Sequence, residues 1–508
     1  MRYLNMAPIV LAAAVVAGCG GGSAGPTIDN SMARGSLIAN PPILVPIPQA
    51  DGQAVTKLEP AVFAASLEAA SPGSTLVTGT PKCAITTYYM KYATVGGAGE
   101  PTDATGAIMV PSGSDPACSG SRPVLLYAHG TVTEKNFNMA NLRESEASRV
   151  AAMYAAQGFI VVAPNYAGYD VSSLTYHPYL NAEQQANDMI DGLRAARKAF
   201  ASIGAQDSGK LFIAGYSQGG HVAMATQRAM QTNHATEFKV TALAGMSGPY
   251  AMTLLGDSIM GGTPNLGGTF FLPLIATSYQ KSYGGIYGST SDIYESLYAS
   301  EIESLLPTTS TASALVAAGK LPQVALFASN SLPGPSSPQF AFGFGTGNLI
   351  KTSFRNAYLA DLAQNPCNTA AGAVVSCTPA SPMRKAILKN DLRNYVPTVP
   401  VFLCGGNADP TVFYPSTLAT QAYFLSKGLP AAAVTVLDVD SAPTGATDPF
   451  AAAKVGFSQA KAKAVSASIA AGVDPAIGVA SAYHGTLVPP FCKAAARGFF
   501  QSILAQAQ

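Results

Sequence analysis

Short apolar runs alternate along the chain with segments whose apolar residues recur every three to four positions. The β-branched and aromatic stretches "AITTYYMKYATV" (84–95) and "TGAIMVP" (105–111) predict an early pair of strands. "PVLLYAHG" (123–130) and "FIVVAP" (159–164) are unbroken apolar runs, as in strands buried on both faces. Between them "ASRVAAMYAAQG" has helical spacing and ends on Gly158. "NAEQQANDMIDGLRAARKAFASIG" predicts a long amphipathic helix opening at Asn181, a good N-cap residue. Strand "KLFIAG", helix "QGGHVAMATQRAMQ" and strand "FKVTALAGMSG" follow. Apolar strands separated by helices predict a mostly parallel sheet covered on both faces, an α/β fold.

After about Pro249 the alternation stops. Residues 250–395 are rich in Gly, Ser, Pro and aromatics, with helix-like pieces such as "SDIYESLYASEIESLL" and "RNAYLADLAQ". It resumes with strand "VPVFLCGG", helix "FYPSTLATQAYFLSKG" and strand "AAVTVLDVD", and a last helix from about Pro490. This predicts a sheet domain over 77–249 and 396–508, interrupted after its sixth strand by a helical cap over 250–395. A second insertion, 441–481, precedes His484.

The N-terminus differs from all of this. Arg2 and the short apolar run "MAPIVLAAAVVAG" lead to Val16-Ala17-Gly18-Cys19, small residues before a cysteine. That resembles a bacterial lipoprotein signal, so 1–19 is expected to direct export and Cys19 to carry a lipid anchor, with the outer membrane as destination and secretion as the alternative. Residues 20–76, opening on "GGGSAGPTIDNS", read as a flexible tether. No later stretch has the ~18 uninterrupted apolar residues of a spanning helix.

Composition narrows the function classes. Apolar residues make up 48% and charged ones 11%, which allows a large core and favours apolar ligands. A net charge of +1 without a Lys/Arg cluster argues against a nucleic-acid partner. Setting Cys19 aside leaves Cys83, Cys118, Cys367, Cys377, Cys404 and Cys492, an even number suited to disulfides in an oxidising compartment. There is no C-x-x-C or H-E-x-x-H, and the five histidines share no metal-ligand spacing, so no metal or other cofactor is expected.

The pattern G-x-S-x-G occurs twice, at Gly21–Gly25 in the tether and at Gly215–Gly219. Only the second lies between an apolar strand and a helix, where a sharp turn lifts a serine out at the carboxyl ends of the strands. Ser217 is therefore the candidate nucleophile and Ser23 is linker. Serine needs a base, and the base an orienting acid. In this arrangement the acid and then the histidine follow the serine, which removes His129 and His177 as base. His221 is on the nucleophile's own helix and His234 ends it, whereas His484 lies after the last strand, where the base belongs. Asp409, in "CGGNADPTV", is the candidate acid, with Asp438, Asp440 and Asp257 as alternatives; it could also cap the following helix. Backbone N–H groups of Gln218, after the nucleophile, and Thr131, in the loop after "PVLLYAHG", are candidates for an oxyanion hole. His129 is assigned a loop-shaping role. A meeting of Asp409 and His484 would also draw Cys404 and Cys492 together, and Cys83–Cys118 and Cys367–Cys377 would use the rest.

In order, "RPVLLYAHGT", "GFIVVAPNYAGY", "DMIDGLRAARKA", "GYSQGG" and "VPVFLCGGNADPTV" resemble the α/β-hydrolase superfamily. Within it they are most similar to the secretory lipase family, of the yeast lipase A type, and its bacterial relatives. The likeness runs from about Val77 to the C-terminus. It implies a Ser217, Asp409 and His484 triad, a helical lid and hydrolysis of carboxylic esters, often lipids. Asn165 departs from it, standing where relatives often carry Asp. The expected protein is an exported, membrane-anchored esterase or lipase acting on apolar esters. A polyester depolymerase or peptidase would use the same fold and triad, and a surface adhesin would use the fold alone.

Overall fold

The computed structural model describes residues 32–49 and 52–506. Eight strands make the body of one sheet: β1 (Ala84–Val95), β2 (Pro101–Ser112), β3 (Arg122–Ala128), β4 (Ile160–Pro164), β5 (Asp207–Tyr216), β6 (Val240–Met246), β7 (Val401–Gly405) and β8 (Val434–Asp438). Across the sheet they run β1-β2-β4-β3-β5-β6-β7-β8, antiparallel through β1, β2 and β4 and parallel from β4 onward.

Helix α1 (Ser145–Met153) follows β3, α2 (Ala182–Ala199) follows β4, and α3 (Gln218–Asn233) follows β5. Between β6 and β7 the chain leaves the sheet for α4 (Met252–Met260), α5 (Gly268–Tyr283), α6 (Thr352–Gln364) and α7 (Pro382–Lys389). Helix α8 (Pro415–Ser426) joins β7 to β8, and then come α9 (Ala451–Ala470), α10 (Pro475–Ala482) and α11 (Val488–Gln506).

The alternation of side chains along β3 explains its unbroken apolar sequence. Val124 and Leu126 enter one core with Met189 and Leu193 of α2 and Val222 of α3. Leu125 and Tyr127 enter the other with Val150 of α1 and Phe491 and Phe500 of α11. Both faces are buried, so both parities must be apolar. A third core, including Met252, Leu274, Tyr358 and Ile387 of the segment between β6 and β7, also takes in Tyr179 and Leu180 from the stretch before α2.

The stretch read as a tether departs from that expectation over its described part. Ile43–Leu44 pairs antiparallel with β1 as an edge strand, Pro60–Ala70 is a helix, and Arg34 bonds the buried Asp191 at 2.9 Å. Edge pairing uses backbone groups, so a Gly- and Pro-rich composition conceals it. The candidate lipidation site Cys19 and the decoy Ser23 lie outside the described residues. Three disulfides, Cys83–Cys118, Cys367–Cys377 and Cys404–Cys492, are the pairings expected from the sequence. Among the described residues no helix is long and apolar enough to cross a membrane.

Candidate active site

Ser217 is the single residue between β5 and α3, with φ 58° and ψ −123°. A positive φ is costly for a residue with a Cβ and persists where surroundings enforce it. Here they do. A Cβ on Gly215 would stand 1.9 Å from the Gly219 carbonyl oxygen, and one on Gly219 2.0 Å from that of Ala128. The two glycines are thus required by space, and the Ser217 N–H is tied to the Met246 carbonyl of β6 at 2.8 Å.

His484 faces this serine from a π-helical turn, Tyr483–Leu487, that runs into α11. Its Nε2 is 2.8 Å from Ser217 Oγ and its Nδ1 is 2.6 Å from Asp409 Oδ2. The carboxylate accepts, so Nδ1 carries the proton and Nε2 is free to take the serine's. Asp409 lies in the turn after β7 and is buried. It is not a helix cap, because α8 begins only at Pro415. Its other oxygen, Oδ1, accepts the N–H groups of Thr411 (2.9 Å) and Val412 (3.1 Å), which fixes the carboxylate plane.

The alternative acids are engaged elsewhere. Asp438 accepts from the Asn407 side chain at 2.7 Å, and Asp440 pairs with Lys461 of α9 at 2.7 Å. Asp257 bonds Tyr358 and Arg384 beyond the sheet. Yet Asp440 is not idle: it accepts from the Tyr483 hydroxyl at 2.7 Å, and the Ala408 N–H donates to that hydroxyl at 3.2 Å. Tyr483 therefore joins the residue before His484 to the residue before Asp409. Nothing in the spacing of these residues announced this.

The other histidines have structural surroundings. His221 is buried against the Asn390 carbonyl at 2.9 Å, and burial pushes its pKa down to about 4. His234 sits at the end of α3, 3.9 Å from Glu237. The ring nitrogens of His129, in the loop after β3, lie 2.7 Å from the Gly130 carbonyl and 3.1 Å from that of Asn165, and the single N–H of the neutral ring donates to one of the two. Thr131 follows in that loop, its hydroxyl 2.8 Å from Tyr179 Oη, while the Gly130 N–H goes to Glu146 at 3.1 Å. Asn165 both accepts, from the Met139 N–H, and donates, to Thr105 and Asn138. An ionised Asp there could not donate, so the amide suits this loop.

A cavity opens beside the serine. Ser217 and Gln218 line it together with Leu255, Ile259, Leu272, Ile275 and Met383, so its wall is almost wholly apolar. Among the described residues no group of three or more His, Cys, Asp or Glu is arranged to hold a metal ion.

The fold recurs in solved structures. The ligand-bound rice cell wall degrading esterase LipA from Xanthomonas oryzae superposes with a TM-score of 0.66 at 25% identity, over 92% of this chain and 98% of that one. The chain has the α/β-hydrolase fold. A hydrolase described as putative, from Legionella pneumophila, shares this fold at 20% identity and a TM-score of 0.64, over 89% of this chain and 97% of its own. A family model described as secretory lipase matches residues 144–261 of the present chain, a span holding α1 to α4 and the Ser217 turn. No curated protein sequence matches it.

Proposed function

We propose that the protein is an exported serine hydrolase that cleaves carboxylic esters with apolar acyl groups. The observation that carries this is the unbroken line Asp409–His484–Ser217, at 2.6 and 2.8 Å, beside an apolar cavity. Ser217 Oγ attacks the ester carbonyl carbon as His484 Nε2 takes its proton, and Asp409 supports the imidazolium. The N–H groups of Gln218 and Thr131 receive the oxyanion. The first N–H groups of a helix have no partner inside it, which suits Gln218 at the start of α3. Collapse expels the alcohol, protonated by His484, and leaves an acyl-serine. Water then attacks, deprotonated by the same histidine, and the acid departs.

Residues 250–395 act in this reading as a cap that supplies the acyl wall of the cavity. The secretory lipase match and the likeness to a cell wall degrading esterase support ester hydrolysis and export. Three disulfides suit folding in an oxidising compartment. Cys19 would carry the lipid anchor, and mass spectrometry of the mature N-terminus tests it: an unmodified chain starting elsewhere ends the anchor but not the hydrolase.

A panel of nitrophenyl esters from acetate to palmitate, with fluorophosphonate labelling, tests the activity. Turnover of acyl chains longer than acetate and a label on Ser217 are expected. No turnover and no label would instead favour a non-catalytic surface protein.

A further inference from the structure

The loop between β4 and α2, residues 165–181, contributes no triad residue; its Tyr179 and Leu180 line the cavity, and it reaches both carriers of the proposed oxyanion donors. Three of its non-glycine residues hold left-handed backbone: Tyr166 (φ 67°), Asp170 (φ 51°) and Leu180 (φ 53°). Such conformations are retained where surrounding contacts over-determine them, and they cluster at functional sites.

On one side the loop grips the segment around Thr131. The Tyr166 hydroxyl donates to the His129 carbonyl at 2.9 Å, and that of Tyr169 to the Val132 carbonyl at 2.5 Å. The Tyr179 hydroxyl meets Thr131 Oγ1 at 2.8 Å. The Thr131 N–H is thus bracketed by three tyrosines from one loop.

On the other side stands His177. Its Nδ1 is 2.9 Å from the Ala167 carbonyl, which can only accept, so Nδ1 carries the proton. Nε2 is then an acceptor, and Gln218 Nε2 donates to it at 2.7 Å. The imidazole is buried, stacks on Tyr166 at 5.6 Å and packs on Tyr169 at 4.6 Å. Burial pushes its pKa down to about 3, which keeps the ring neutral through the physiological range.

We infer that His177 is a positioning residue: through the Gln218 side chain it fixes the direction of the Gln218 backbone N–H, and its loop sets the separation of the two oxyanion donors. This rests on the oxyanion assignment made above. Gln218 directly follows the strained Ser217 and opens α3, so a side chain free to turn would let that first peptide tilt. Donors held in place before the charge develops stabilise a transition state without reorganising.

His177→Phe keeps the ring and its tyrosine packing but removes Nε2, and Gln218→Met removes the amide but keeps the backbone N–H. Each should lower kcat on nitrophenyl butyrate by about 10- to 100-fold with KM within about twofold, as for other small misplacements of catalytic groups. The inhibition constant of an alkyl trifluoromethyl ketone should rise by the same factor. That ketone forms a bond to Ser217 Oγ, its carbonyl oxygen becomes the oxyanion, and the serine proton moves to His484. The matching secondary alcohol, which cannot form this adduct, should bind all variants equally. The double variant should be no worse than either single one, and His177→Gln, which restores an acceptor, should recover part of the rate. If His177→Phe does not fold, Gln218→Met alone must show the loss. Wild-type kcat and ketone affinity in the variants, or additive losses in the double variant, overturn the inference. Failure of the wild type to bind the ketone at Ser217 would overturn the hydrolase reading itself.

Discussion

Cys404 and Cys492 are joined by a disulfide, Cα atoms 5.6 Å apart, that ties β7 to the first turn of α11. Asp409 leaves this junction five residues later and His484 reaches it from eight residues before. The acid turn and the base turn therefore depart from one covalent point. The bridge closes a separation of 88 residues, worth roughly 4–5 kcal/mol in the chain-entropy model. The Cys404→Ala/Cys492→Ala double variant should unfold at lower urea concentration by about that free energy. Its kcat should fall before the far-UV signal changes. Unaltered activity up to the unfolding midpoint would mean that the bridge does not support the site.

Gly219→Ala tests the elbow. Its new Cβ would lie 2.0 Å from the Ala128 carbonyl oxygen, and that oxygen is backbone that cannot swing aside. A loss of at least about 3 kcal/mol in stability, with activity lost in the fraction that folds, is expected from denaturant unfolding. Stability within about 1 kcal/mol of the parent would show that the turn has room to spare.

Asp409→Asn should lower kcat about 10³- to 10⁴-fold, since an amide offers Nδ1 no charge and can invert the tautomer. Asp438→Asn, which loosens the bonds from Asn407 and from the Asp440 N–H, should cost about tenfold or less. Steady-state kinetics of the two variants decide between the acids, and the reverse ranking would move the acid to the turn after β8.

Glu146, which holds the Gly130 N–H from α1, makes the loop after β3 sensitive to acid. Burial alone would raise its carboxyl, but the Lys493 ammonium at 2.9 Å and the Tyr127 hydroxyl at 2.6 Å outweigh burial and hold it at about 2. The unfolded group titrates near 4.5. Between these values the unfolded chain binds more protons, so this contribution is complete above pH 4.5 and is lost as pH falls toward 2. Glu146→Gln should flatten that limb of the stability curve and cost about 3 kcal/mol at neutral pH, because Lys493 stays buried without its partner. Urea midpoints measured across pH check both effects. A curve parallel to the parent's would show that another group governs the acid limb.

Much of this was legible in the sequence where one physical cause acts alone. β3, β4 and β5 from Leu211 onward are apolar where both of their faces are buried, and Gly215 and Gly219 stand where no Cβ fits. The joining of Cys404 to Cys492 followed from requiring Asp409 and His484 to meet. What stayed hidden depends on partners far away in the chain. Arg34 reads as linker until Asp191 is beside it, and Tyr166 and Tyr169 bond carbonyls, which leave no mark in side-chain patterning. His177 was set aside as a base by chain order, and its contact with Gln218 could not be read from position. The stretch "SDIYESLYASEIESLL" has helical spacing yet forms only short turns, Thr290–Asp292, Ser296–Ala299 and Ile302–Ser304. Its backbone bonds instead to a distant strand-like segment, the Glu295 N–H to the Leu349 carbonyl and the Lys351 N–H to that of Ile293.

Ser217→Ala tests the central claim most directly. Alanine adds no bulk at the elbow, so the thermal unfolding midpoint should stay within a few degrees of the parent's. Ester turnover should fall by about 10⁴-fold or more and fluorophosphonate labelling should vanish. Ser23→Ala, at the other G-x-S-x-G, should leave both unchanged. A folded Ser217→Ala protein that still turns over nitrophenyl esters at near-parental rates would contradict the account.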